Sequence, residues 1–157
     1  MSVSFRTATI VCITFLFLSL GTPAEAQTRL NFPRPISAED LPTTGFALVN
    51  TSATAATATF NYYGLDGGLI SQSVQNVPAR GQLARLLSEI LPSVRRSGWV
   101  QIVTANPEVQ GFELVGDFVK LVDGAGPAAE GKQLALIDFS REDIVHLVNT
   151  SSQRGSV

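Results

Sequence analysis

Phe46-Ala47-Leu48-Val49-Asn50-Thr51-Ser52, followed by Ala56-Thr57-Ala58-Thr59-Phe60-Asn61-Tyr62, is the stretch on which the reading of this chain turns. The first run is apolar and ends in a polar turn, the pattern of a buried strand; the second alternates apolar and polar residues at period two, the pattern of a half-buried one. Two strands joined by a short turn start an all-β core. A related run returns as Val145-His146-Leu147-Val148-Asn149-Thr150-Ser151, with Asn149 standing 99 residues after Asn50. The spacing predicts a repeat whose second copy is cut short.

Outward from that core, Gly64-Leu65-Asp66-Gly67-Gly68 reads as a hairpin loop, because Asp-Gly supplies the positive φ of a tight reversal. Leu69 to Val77 returns as the partner strand, and its polar residues Ser71, Gln72, Ser73, Gln75 and Asn76 suggest that one face is wet. Pro78-Ala79-Arg80-Gly81 is a second turn. Leu83, Leu86, Leu87 and Ile90 then fall at helical spacing, and Pro92 closes the segment, which predicts a short helix over about Gln82–Leu91. Gly98 to Thr104 is a strand buried on most sides. Val109 to Phe118 is the last of the unit, its alternation placing Phe112, Leu114 and Phe118 on one side and Glu113 on the other. Before the core, residues 27–44 form a lead-in containing Pro33, Pro35 and Pro42 and offering one edge strand around Leu30 to Phe32.

The amino terminus is of another kind. An apolar run from Ile10 to Leu20, preceded by Arg6 and followed by Pro23 and Ala24-Glu25-Ala26, predicts a signal peptide over residues 1–26. The run is shorter than the roughly 20 residues of a membrane span, so no stable span is expected after cleavage. Cys12, the single cysteine, lies inside it. The mature domain, residues 45–121, is expected to hold together by burial and strand pairing without a disulfide. Residues 122–133, rich in Gly, Ala and Pro, read as a flexible linker, and residues 134–157 as a partial second repeat of strands alone. Those last strands could belong to a longer array, pair onto an edge of the first domain, or self-associate with another molecule.

The order of strand, Val-Asn-Thr-Ser, alternating strand, Asp-Gly hairpin, Pro-x-x-Gly turn and Gly98-Trp99-Val100-Gln101-Ile102-Val103 resembles the immunoglobulin-like β-sandwich modules of secreted bacterial proteins. It is also similar to uncharacterised secreted tandem repeats with a short leucine helix. The resemblance covers about Gly45 to Phe118 and implies an antiparallel sandwich in an extracytoplasmic setting: secreted, periplasmic or at the cell surface. The cysteine pair of antibody domains is missing.

The sequence points to no catalytic residue, metal ligand or cofactor. His146 is the only histidine, too few for a zinc site, and no nucleophile elbow accompanies it. A net charge of −2 without a basic stripe speaks against nucleic acid. Tyr63, outward by alternation from Phe60, and Asp66 in the hairpin are the candidate ligand contacts, whereas Trp99 reads as core. Arg80, Arg85, Arg95 and Arg96 could gather as an anion-binding patch, with a solvated rim as the simpler account. Asn50-Thr51-Ser52 and Asn149-Thr150-Ser151 fit the glycosylation pattern, though a repeated turn explains both asparagines. The expected function is that of a non-enzymatic spacer, or a unit binding a surface protein or polysaccharide. The alternative is an accessory domain or fragment of a secreted hydrolase using Glu113 and Asp117, which share a face if the strand continues that far.

Overall fold

The structure, a computed structural model, describes residues 27–116, 119, 122–131 and 144–151. The signal-peptide reading, Asp117, Phe118 and most of the proposed second repeat lie outside these residues. Eight strands, β1 (Thr28–Ile36), β2 (Thr44–Asn50), β3 (Ala56–Gly64), β4 (Leu69–Val77), β5 (Gln82–Leu86), β6 (Gly98–Thr104), β7 (Val109–Gly116) and β8 (Val122–Ala125), form two antiparallel sheets. Their orders are β1-β6-β3-β4 and β5-β2-β7-β8. The chain is therefore an all-β sandwich; among the described residues it has one α-helical turn, α1 (Leu87–Ile90), between β5 and β6, and a 3-10 turn, Leu41–Thr43, before β2.

The apolar phase of each strand meets between the sheets. Phe46 of one sheet sits between Phe32 and Phe60 of the other, edge to face, with ring centroids 5.2 and 5.9 Å apart. Such pairs contribute about 0.5–1.5 kcal/mol each beyond the area they bury. Leu48, Ala58, Tyr62, Val77, Val100 and Ile102 fill the same layer. Tyr62 brings a hydroxyl into the core and donates it to the Arg96 carbonyl at 2.9 Å. Burial pushes this phenol up to about 12.

Asn50 closes β2 as the Val-Asn-Thr-Ser reading requires of a structural asparagine. It is fully buried. Its amide donates to the carbonyls of Thr54, Val77 and Pro78, and its Oδ1 accepts from Ser52 N–H and Oγ–H. One side chain thus ties the β2–β3 turn to the turn after β4, which leaves no room for a glycan on the folded chain. Ser151 donates to Asn149 Oδ1 through the same two groups, at 3.0 and 2.8 Å.

Four sequence expectations change. Gln82–Leu86 is a strand: Leu83 faces Leu48 and Ala84 faces Ala47 across β2. Pairing supplies these backbone groups with partners that a two-turn helix would have had to supply alone, so the helix is only Leu87–Ile90, where Glu89 accepts from Leu86 N–H at 2.9 Å. The lead-in is a nine-residue edge strand, β1, rather than a few residues around Leu30, and it buries Leu30, Phe32 and Ile36. Residues 122–125 of the expected linker are β8, paired with β7 and fastened by the 2.6 Å ion pair of Arg34 with Asp123, while Ala128 N–H donates to Asn31 O at 2.7 Å. Ile144 to Val148 form no strand.

The phase of β7 is also reversed. Glu113 stands opposite Phe46 and faces the core, only 2 % exposed, while Phe112 faces outward at 43 %. A period of two has two phases, and Val109 and Val115, which are both buried, select the one that carries Glu113 inward.

Candidate functional site

The β3–β4 hairpin places the candidate ligand contacts. Gly64 N–H donates to Gly68 O at 2.8 Å and Gly67 N–H to Gly64 O at 2.9 Å, with Gly67 at a φ of 82°. Asp66 Oδ1 accepts from Gly68 N–H at 3.0 Å, the turn-forming role its position suggests. Its other oxygen faces Arg96 at 3.6 Å in an exposed ion pair.

Tyr63 points outward from β3, and its cross-strand neighbour on β6 is Trp99. The two rings stack, 4.9 Å between centroids and 21° between planes. Trp99 is 7 % exposed, hence buried as the sequence suggested, but on the outer face of the sheet rather than in the layer between sheets. Tyr63 is half-buried, so it is the ring a ligand would meet first.

Beside this pair runs a row of amides that the sequence reading missed. Asn31 on β1, Gln101 on β6, Asn61 on β3 and Gln72 on β4 are in register across all four strands. Gln101 Nε2 donates to Asn31 Oδ1 at 2.8 Å, Gln72 Nε2 donates to Asn61 Oδ1 at 2.7 Å, and Asn31 Nδ2 donates to Glu130. Asn31, Asn61 and Gln101 are buried. The available signal was Gln101 standing alone between Val100 and Ile102, a polar residue at the outward phase of an otherwise apolar strand.

Tyr63, Asp66, Trp99 and Gln101 line one groove of about 690 Å³, with Arg29, Pro33 and Pro35 from β1 on one side and Leu147 to Ser151 of the C-terminal segment forming a wall. The two candidate contacts, Tyr63 and Asp66, are brought together there. A smaller cavity of about 100 Å³ lies alongside, between Asn31, Glu130 and His146.

The other candidates do not converge. Arg95 turns back to the carbonyls of Pro92 and Val94, Arg96 pairs with Asp66, and Arg80 occupies the turn before β5, where its N–H donates to Ser52 O. Glu113 lies between the sheets, away from the groove. Burial raises its pKa to about 7, against the Arg34 cation that lowers it and with the Asp123 carboxylate adding to the rise; its Oε1 has no hydrogen-bond partner among the described residues. Among the described residues no group of three or more His, Cys, Asp or Glu side chains could hold a metal ion. No helix among them is long and apolar enough to cross a membrane.

Comparison with models of protein families, with curated proteins and with solved structures finds no match.

Proposed function

We propose that the chain is an exported, non-enzymatic binding module whose ligand is a polysaccharide held in the groove over Tyr63 and Trp99. The reading rests on one observation: a stacked aromatic pair and a hydrogen-bonding amide, Gln101, share the lining of a single groove with the carboxylate of Asp66. Binding sites for small or extended ligands combine such apolar ring surface with a few placed polar groups. Sugar rings present an apolar C–H face for the aromatic ring and hydroxyls for amides and carboxylates.

The signal-peptide reading of residues 1–26 supports a place outside the cytoplasm. The pairing of β2 with β5 in one sheet and β3 with β6 in the other supports the immunoglobulin-like reading, and the same asparagine turn at Asn50 and Asn149 supports that of a repeated unit. In an array, each unit would also act as a spacer.

Isothermal titration of the purified protein with soluble neutral and acidic polysaccharides tests this. Binding is expected for at least one class, and Tyr63→Ala should weaken it about tenfold, the loss of one ring contact of about 1.4 kcal/mol. Silence across both classes, or unchanged affinity in the variant, would remove the groove as a binding site and leave the spacer role.

A further inference from the structure

Two open sheets have four edges, here β1, β4, β5 and β8, and each is a template for pairing unless something blocks it. Three are blocked. β1 contains Pro33 and Pro35, which have no N–H, carries Arg29 and Arg34, and already gives its Asn31 carbonyl to Ala128. β5 has five residues, includes Arg85 and runs straight into α1. β8 has four residues, with Asp123 and Gly124 among them.

β4 has none of these devices. Its nine residues, Leu69-Ile70-Ser71-Gln72-Ser73-Val74-Gln75-Asn76-Val77, include no charge, no proline and no glycine. It pairs with β3 on one side, and among the described residues no strand pairs with the other. Val74 is 62 % exposed on the outer face.

We propose that β4 is the edge through which two copies of this chain join, antiparallel, about a two-fold axis at Ser73. From Ser71 to Gln75 the strand is self-complementary about that residue, and the bulge at Ile70, where the register against β3 shifts, ends the match. Ser71 then lies opposite the partner's Gln75 and Ser73 opposite its counterpart, all half-buried and facing the same layer; Gln72 lies opposite the partner's Val74, both exposed. Over these five residues exposed side chains meet exposed ones and half-buried meet half-buried, no charge meets a like charge, and one two-fold contact uses the same patch on both subunits, closing the assembly at a dimer. A charged partner strand finds no counter-charge anywhere along β4, which is why a second copy fits this edge better than a charged segment of another protein. The joined sheet runs β1-β6-β3-β4 and then the same order reversed.

Sedimentation of the full chain, purified as its host delivers it, should show a reversible dimer with a Kd on the order of micromolar, as suits a small interface. In the variant Gln72→Lys with Val74→Lys, lysines face each other across the axis, and the dimer should weaken at least about tenfold. In Gln72→Glu with Val74→Lys the same two positions face each other with opposite charge, and association should return to near the starting value. Both variants lose the same Gln72 to Asn61 hydrogen bond, so a folding defect would affect them alike and the difference between them reads the interface alone. A chain that sediments as a monomer up to the highest soluble concentration overturns the proposal. A dimer equally strong in both variants overturns it too, by placing the contact elsewhere.

Discussion

A Cβ at Gly98 would lie 2.2 Å from the Tyr63 carbonyl oxygen and 2.6 Å from Tyr62 Cε1. The first atom is backbone and the second belongs to a fully buried ring, so neither can move aside cheaply. Gly98→Ala should therefore cost about 1–3 kcal/mol, the range for overpacking a tight core. Urea unfolding reads this as a lower midpoint at unchanged slope, and an unchanged midpoint would show that β6 can shift away from β3. In the sequence Gly98 marks only a strand start. Asn50 is the opposite case: its place before Thr-Ser announces a turn, and the structure adds that its amide reaches three carbonyls at once. Counting from Phe60 puts Tyr63 outward, whereas its partnership with Trp99 depends on the register of β3 against β6, which no count along one strand contains.

The hydrophobic pattern of Leu83, Leu86, Leu87 and Ile90 satisfies a helix and, over its first half, a strand equally well. Leu48 and Phe46 on β2 decide between them, because an unpaired edge of β2 offers Gln82–Leu86 a ladder of hydrogen bonds. Composition misleads at β8 for a related reason. A run with Gly124, Ala125, Gly126 and Pro127 has little to bury, yet β7 needs a neighbour and residues 122–125 provide one. Ending the chain at Leu121 removes this ladder, the Arg34–Asp123 ion pair and the hydrogen bonds of Ala128 and Glu130 with Asn31 together. A loss of about 2–4 kcal/mol is expected, since net hydrogen bonds contribute about 0.5–1.5 kcal/mol each and an exposed ion pair adds little. Thermal melting of the shortened and full chains side by side tests it; equal stability would return residues 122–125 to the role of a tether.

Across the whole molecule, stability should depend on pH through Glu113. The unfolded carboxyl titrates near 4.5 and the folded one near 7, so the folded state holds its proton more tightly. Stability is then greatest below about 4.5, falls as pH rises from there to about 7, and stays low above, a total change of about 3 kcal/mol from this one group. Glu113→Gln should flatten that part of the melting-temperature profile and raise stability at pH 8. A wild-type profile already flat between pH 4.5 and 7, with other groups matched by the variant, would mean the carboxylate finds a partner inside the sandwich.

Alternation from Phe46 to Tyr62, the Asp66-Gly67 reversal and the period-two runs at Trp99 and Val109 are local properties, and they suffice for an all-β chain of short antiparallel strands with Asn50 at a turn. They say where strands lie because backbone pleat and turn conformation act over a few residues. Which sheet each strand joins, which phase of β7 faces inward, that Gln82–Leu86 extends instead of coiling, and that Tyr63, Asp66, Trp99 and Gln101 share one groove depend on neighbours far away in the chain. Those choices follow from the burial of Phe32, Phe46 and Phe60 against one another, and that contact exists only once two sheets have stacked.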